Sequence, residues 1–220
     1  MNQTVSSIQN ELTNFCYEYN IEFECFFNDE KLSLSFTKVK KELVISNNNY
    51  TGSNTVSFTF YEYQKCPQIV KSKILALNKK LIKIFARNTK IQRLEKQDVE
   101  HFFNKNHVLG YCNGYYKFGL FNNNTLVMAA LFSKARVMHD EVVPYRSFEL
   151  IRVCSIVNHV VVGGLSKLIN HFVLNYHAKH IMTYVDITKD DGNAYIKLGF
   201  IDAGNIGSNK KLILNIYHFG

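Results

Sequence analysis

An α+β fold, with a mixed central sheet flanked by helices and a small α/β module ahead of it, is what this sequence predicts, on three observations. The run Phe148–Phe200 reads as strand, glycine turn, helix, strand, helix, the order in which helices come to cover a sheet. Ahead of residue 64, one helical stretch is followed by four short stretches rich in apolar and β-branched residues, broken by Asn, Asp and Gly, which reads as a small sheet. Between these regions, Tyr116–Phe121 and Thr125–Ser133 flank Asn122-Asn123-Asn124, a hairpin signature because asparagine tolerates the left-handed backbone of a tight turn.

Taken in order, Ser6–Tyr19 places Ile8, Leu12, Phe15 and Cys16 on one helical face. Strands are expected at Ile21–Phe27, Leu32–Thr37, Glu42–Ser46 and Val56–Tyr63. Pro67 suits the first position of a helix, and Val70, Ile74, Leu77, Leu81 and Phe85 continue an apolar stripe to about Arg87. A strand at Ile91–Leu94 and a helix at Lys96–Asn106 precede the hairpin, and Met138–Tyr145 reads as a loop or strand edge. The buried strand Phe148–Ile156 leads to a helix with Leu165, Leu168, Ile169, Phe172 and Val173 inward. Strand His180–Ile187, helix Gly192–Phe200 and a closing strand Lys211–His218 complete the chain. The expected organisation is a small α/β module at 1–66, a basic linking helix at 67–83 and the main domain at 84–220.

At 220 residues and 46% apolar content the chain can bury a full core. It contains no run of about 18 apolar residues and no basic-then-apolar leader pattern at Met1–Thr4, so a cytoplasmic protein without a membrane partner is expected. Five cysteines without Cys-x-x-Cys spacing, and eight histidines without His-Glu-x-x-His spacing, predict no metal site. The net charge of +8 is clustered: between Lys65 and Lys105, eleven basic residues stand against Glu95, Asp98 and Glu100. Lys71, Lys73, Lys79, Lys80 and Lys83 fall off the apolar stripe, and Arg87 follows. Such a face fits the phosphates of a nucleic acid, DNA in the first instance; an ordinary solvated face is the alternative. Oligomeric state is not legible in the sequence.

Gly163-Gly164 stands immediately before a helix. Bare amides at a helix N-terminus, backed by the helix dipole, favour phosphate, whereas close strand–helix packing is the other use of such a pair. Asn193-x-Tyr195-x-x-x-Gly199-Phe200 resembles the closing motif of the GNAT (N-acetyltransferase) superfamily, and Gly163-Gly164-Leu165-Ser166 resembles its pyrophosphate loop. The resemblance spans roughly Ile84 to Gly220. It implies a GNAT-like sheet that binds acetyl-CoA or another acyl-CoA. The backbone of Val153 and Cys154 would then pair with the pantetheine arm, Val162, Gly163, Gly164, Leu165, Ser166 and Lys167 would hold the pyrophosphate, and Asn193 would lie near the arm. Tyr195 matches the family's general acid; a core tyrosine is the alternative. For the base, Glu149, Asp186 and His107 are all candidates, while Glu149 with Arg152 could form a structural ion pair. The sequence departs from the family at Val160 and Val161, where Arg or Gln is usual, and at Ser166, where Gly is usual.

A second resemblance spans most of the chain. Gln68–Ile74, Ile84–Arg87, Asn106-His107-x-x-Gly110 and Lys117–Leu120 are similar in order to mobile-element endonucleases in which a Vsr-like segment precedes a GNAT-like one. Glu149–Arg152, Val162–Leu168, Tyr184-x-Asp186 and Tyr195-x-Lys197-Leu198-Gly199-Phe200 resemble their C-terminal part and, more loosely, phage Mom-type DNA-modifying acyltransferases. Nucleases of this kind need carboxylates for a divalent metal. Ser46 stands where one is expected, and Lys31–Phe36 offers serines, so the N-terminal module reads as a degenerate nuclease. The resulting expectation is an acyltransferase acting on DNA, with a non-catalytic DNA-binding protein as the alternative.

Overall fold

The structure, a computed structural model, describes residues 5–28, 30–52, 54–139 and 144–216. Part of the Met138–Tyr145 stretch and the end of the expected Lys211–His218 strand therefore lie outside the described residues. The chain forms two compact units. One comprises the residues up to Ile82 together with Ile187–Asp191; the other comprises Lys83–Asp186 and the residues from Gly192 onward.

In the smaller unit, helix α1 (Val5–Glu18) buries Ile8, Leu12 and Cys16. Strands β1 (Glu24–Phe27), β2 (Lys31–Phe36), β3 (Lys41–Ser46) and β4 (Thr55–Thr59) form a sheet in that order. β1, β2 and β3 pair antiparallel, and β3 pairs with β4 parallel. The expected strand Val56–Tyr63 stops at Thr59 because a capping box begins helix α2 (Phe60–Lys65) there: Thr59 Oγ1 accepts the Glu62 N–H and Glu62 Oε2 accepts the Thr59 N–H.

Helix α3 (Pro67–Leu77) is ten residues shorter than the apolar stripe predicts. Lys79 adopts φ +58°, its N–H bonds Ala76 O at 3.1 Å, and the Lys80 N–H bonds Leu75 O at 2.8 Å. This left-handed cap satisfies the last carbonyls and ends the helix. Leu81 and Phe85 match helical spacing by coincidence, and β5 (Ile82–Phe85) is a strand.

The larger unit continues with β6 (Lys90–Arg93), α4 (Lys96–Asn106), β7 (Tyr116–Asn122), β8 (Thr125–Phe132), β9 (Arg136–Met138), β10 (Tyr145–Ser155), β11 (His159–Val162), α5 (Gly164–Tyr176), β12 (His180–Asp186), α6 (Asn193–Ile196), β13 (Ile201–Ile206) and β14 (Asn209–Asn215). Its main sheet runs β13-β14-β12-β10-β8-β7-β6, with β9 also on β10, and β11 pairs with β5. All neighbours with assigned registers in the main sheet are antiparallel except β10 and β12. The architecture is thus α+β with a mixed central sheet, as expected.

The β7–β8 turn places Asn123 and Asn124 at φ +47° and +64°, the pair of left-handed residues a two-residue hairpin requires. Helices cover both faces of the sheet. Leu168, Ile169, Phe172 and Val173 of α5 pack with Phe118, Ala130, Phe132, Phe148 and Leu150. Val99, Phe102 and Phe103 of α4 pack with Ala129 and Leu131. The expected helix Gly192–Phe200 is only one turn long, because Gly199 takes φ +91° and turns the chain into β13.

Candidate active site

β10 and β12 begin as a parallel pair, matched from Ser147–His180 to Glu149–Met182. There the ladder stops, while β10 stays paired to β8 through Arg152–Ser155, past an irregularity between Leu150 and Arg152. Thr183 Oγ1 donates to Leu150 O at 2.9 Å, bridging the point of parting. Beyond it, among the described residues, the edge of β10 carrying Val153 and Cys154 has no ladder partner on the β12 side. Four residues past Glu149 and Met182 come Val153 on one strand and Asp186 on the other, so these two flank the split.

The first turn of α5 is seated at the far end of β10. Met128 of β8 pairs with Ser155, and a Cβ on Gly164 would lie 2.5 Å from Met128 Sδ and 2.8 Å from Val161 Cγ1. Gly164 therefore serves close packing. Gly163 serves conformation, with φ +77° and only Ala86 Cβ, at 3.6 Å, near its own missing side chain. Gly163 caps α5 without a side-chain hydrogen bond, and the Lys167 N–H to Gly163 O bond of 3.0 Å opens the helical ladder. The amides ahead of Lys167 thus have no intrahelical acceptor and carry the positive end of the dipole.

Lys167 itself points elsewhere: Nζ donates to Ala86 O at 2.8 Å, to Thr89 O, and to Thr89 Oγ1 at 3.3 Å. An ammonium has three donors, and these contacts take them all, so Lys167 fastens the Ala86–Asn88 turn rather than offering its charge to a phosphate. That turn brings Arg87 beside the loop. Its guanidinium lies 5.0 Å from the Phe85 ring centroid, and the side chain is exposed. It is a cation the sequence does not place there, because 76 positions separate it from Gly163.

The acid–base candidates differ in environment. Tyr195 is half-buried, with its ring edge-on to Phe200 at 5.5 Å. Its helix starts at Gly192, whose missing Cβ would meet Leu212 Cδ1 at 3.3 Å and the Val185 methyls at 3.9 Å, which places α6 against β14 and β12. Asp186 ends β12 opposite Asn209. Glu149, at the foot of the split, pairs with Arg136 at 3.6 Å. Arg152, its anticipated partner, instead donates to Leu109 O at 3.1 Å and to Gly110 O.

His107 is unsuited to the base role. It follows α4 in the loop that Arg152 holds, and its Nδ1 accepts the Leu109 N–H at 3.2 Å. Burial, with Arg152 adding to it, pushes its pKa down to about 4. The imidazole is neutral near pH 7 and its acceptor nitrogen is already in use. Asn106, the last residue of α4, is buried and ties the helix to the chain after β10: Nδ2 donates to Phe102 O at 2.8 Å and Oδ1 accepts the Val157 N–H at 2.9 Å. Burial also raises the Cys154 thiol well above its ordinary range.

The six basic residues expected along one helix divide into two groups. Lys71 pairs with Glu11 at 2.7 Å and lies over the Phe15 ring, and Lys73 pairs with Asp190 at 3.4 Å, all within the smaller unit. Lys79, Lys80, Lys83 and Arg87 lie beyond the helix and are exposed. Among the described residues, no group of three His, Cys, Asp or Glu side chains is arranged to hold a metal ion, and no helix is long and apolar enough to cross a membrane.

No protein-family model matches the chain, and no curated protein matches it. Among solved structures, it is similar to the ribosomal-protein-S18-alanine N-acetyltransferase of Escherichia coli, with 18% identity and a TM-score of 0.46 over 60% of this chain and 96% of that one. It is also similar to a histone acetyltransferase HPA2 and related acetyltransferase from Corynebacterium glutamicum, with 15% identity and a TM-score of 0.43 over 60% and 98%. Arabidopsis thaliana Naa50, in complex with a CoA-containing bisubstrate analogue, gives 15% identity and 0.42 over 57% and 97%. At these levels the activities of those proteins do not carry over to this chain.

Proposed function

We propose that the chain is a GNAT-like N-acyltransferase that takes its acyl group from an acyl-CoA. The observation that carries this reading is the split between β10 and β12 with the N-terminus of α5, capped by no side chain, at its end. Pantetheine is an extended chain with amides, suited to the open edge at Val153 and Cys154, and its pyrophosphate would reach the amides of Gly163–Ser166. Arg87 would supply the cation missing at Val160 and Val161. In the reaction a neutral amine attacks the thioester carbonyl, the C–S bond breaks, the amine proton passes to a base and the departing thiolate takes a proton from an acid. Tyr195 is assigned the acid, and Asp186 or Glu149 the base.

Calorimetric titration with acetyl-CoA tests this reading, with binding in the micromolar range expected. Absence of binding by acetyl-CoA and free CoA at millimolar concentration would remove it.

A nucleic acid, DNA first, is the proposed source of the acceptor, on the exposed Lys79, Lys80, Lys83 and Arg87. Replacing Lys79, Lys80 and Lys83 with Glu should flatten the slope of log K against log[salt] by up to about three units. Equal affinity of this variant and the parent for duplex DNA at low salt would return these residues to plain solvated surface. The alternative, a non-catalytic DNA-binding protein descended from a homing-type endonuclease, draws on Ser46, whose hydroxyl is turned onto Asn48 O at 2.5 Å. A hydroxyl so placed supplies no charge for a divalent ion.

A further inference from the structure

Tyr176 closes α5, and at 1.5 Å per residue it lies about 18 Å along the helix from the glycine pair that opens it. Around it the main sheet of the larger unit ends in a run of rings. Tyr176 meets Tyr116 at 4.2 Å between centroids, and Tyr116 meets Tyr115 edge-on at 4.7 Å. Phe172 and Phe148 lie against Tyr116 at 5.4 and 6.3 Å, so the inner part of the run is core. Its outer part is not: Tyr115 is 49% exposed, and Tyr116 and Tyr176 are half-buried. Cations stand around these rings. Phe118, two residues from Tyr116, pairs with Arg93 of β6, and residues so related share one face of a sheet. Arg146 stands two residues before Phe148 on β10, which puts it on that face too. Both arginines act on the Tyr116 phenol: burial, with Tyr115 and Tyr176, pushes its pKa up, and Arg146 and Arg93 oppose them. Lys134 Nζ stands 4.9 Å from the Tyr115 ring centroid. All of these cations are exposed, and among the described residues none of them is paired with a carboxylate.

We propose that Tyr115, Tyr116 and Tyr176, flanked by Arg93, Lys134 and Arg146, form a binding surface for single-stranded nucleic acid: unpaired bases stack on the tyrosines and the cations hold the phosphates. Every base has a flat face for an aromatic ring, so such a surface takes an open strand with little regard to sequence. A duplex keeps its bases stacked on one another and offers only its phosphates to the same cations. An acidic peptide would satisfy the cations but leave the exposed Tyr115 ring without a flat partner. Rings and cations together therefore favour the open strand. The surface uses none of Lys79, Lys80, Lys83 and Arg87, and it stands whether or not the chain transfers acyl groups.

Fluorescence anisotropy with the full chain tests the proposal, using a labelled oligothymidylate of about 12 nucleotides, an abasic strand with the same phosphates, and polyglutamate as competitor. The oligothymidylate should bind at least about tenfold tighter than the abasic strand. Tyr115→Ala should weaken the oligothymidylate at least about fivefold and leave the abasic strand unchanged, while Tyr115→Phe, which keeps the ring, should bind as the parent does. Arg146→Gln should weaken both strands and flatten the slope of log K against log[salt] by about 0.7. Equal affinity of the parent for the two strands, or an undiminished oligothymidylate affinity in Tyr115→Ala, would overturn the proposal. Displacement of the oligothymidylate by an equal concentration of polyglutamate would make the partner an acidic peptide and overturn it as well. Ultraviolet crosslinking of the parent to oligothymidylate, read by mass spectrometry, needs no variant to fold. Crosslinks at Tyr115, Tyr116 or Tyr176 are expected, and crosslinks confined to other residues would also overturn the proposal.

Discussion

Gly164→Ala separates packing from ligand binding in the glycine pair. The added methyl would sit 2.5 Å from Met128 Sδ, 2.8 Å from Val161 Cγ1 and 3.0 Å from Val161 Cβ. Met128 can swing its thioether aside. Val161 cannot, being β-branched, buried and set in strand β11. Overpacking of this kind costs about 1–3 kcal/mol, and the helix-propensity gain of alanine over glycine returns at most about 1 kcal/mol. A net loss of about 1–2 kcal/mol follows, or a fall in Tm of about 2–8 °C at 2–4 °C per kcal/mol for a domain of this size. The methyl points into the core and away from the loop amides, so acetyl-CoA affinity measured well below Tm should match the parent. Far-ultraviolet circular dichroism gives the melting curve, and adding Val161→Ala should recover at least about 0.5 kcal/mol as a coupling energy. A Tm equal to or above the parent's would show that the strand–helix approach is looser than these distances require.

Tyr195→Phe keeps the ring that packs on Phe200 and removes only the hydroxyl, so the fold should persist; turnover, read as thiol released from acetyl-CoA, should drop about 10²-fold, and full activity at every pH would assign the tyrosine to the core. His107 gives a pH signature. Its folded pKa of about 4 lies below the unfolded value of 6.5, so on acidification the unfolded chain takes up the proton first. The stability this group contributes is complete above pH 6.5 and is lost as pH falls toward 4, by up to about 1.4 kcal/mol per pH unit. His107→Gln should lack that slope in urea-unfolding midpoints measured from pH 7 to 4, and identical slopes would place the imidazole in contact with solvent.

The parts of the fold that depend on local signals were legible. Helix α4 has the bounds its periodicity predicts, and the asparagines of the β7–β8 turn are there because that turn needs left-handed residues. Parts that depend on distant partners were not. β5 and β11 are four-residue strands that exist by pairing with each other across about 75 positions, and neither carries a pattern of its own. The end of α3 was missed because a lysine, not a glycine, takes the left-handed cap. At the candidate site, the resemblance pointed to Val153, Cys154 and the glycine pair and the strand order to Asp186, segments that successive strands and turns bring near one another. The occupied ammonium of Lys167, the arrival of Arg87 and the spent lone pair of His107 follow from contacts between remote segments. No spacing rule records those.

The parting of β10 from β12 leaves peptide groups open within a sheet rather than at its rim. Exposed strand edges ordinarily invite other polypeptides to add on, which is how many proteins aggregate. Here β12 runs on beside the opening to Asp186 and the first turn of α5 stands at its end, so the groove is bounded on both sides. A full polypeptide strand needs about 4.8 Å on each side of its backbone to pair, together with room for side chains above and below. A pantetheine arm, with two amides and only small methyl and hydroxyl branches, makes smaller demands on both counts. The opening that would be a hazard on the periphery is here flanked by β12 and by the first turn of α5, which leaves less of it free for a neighbouring polypeptide to extend.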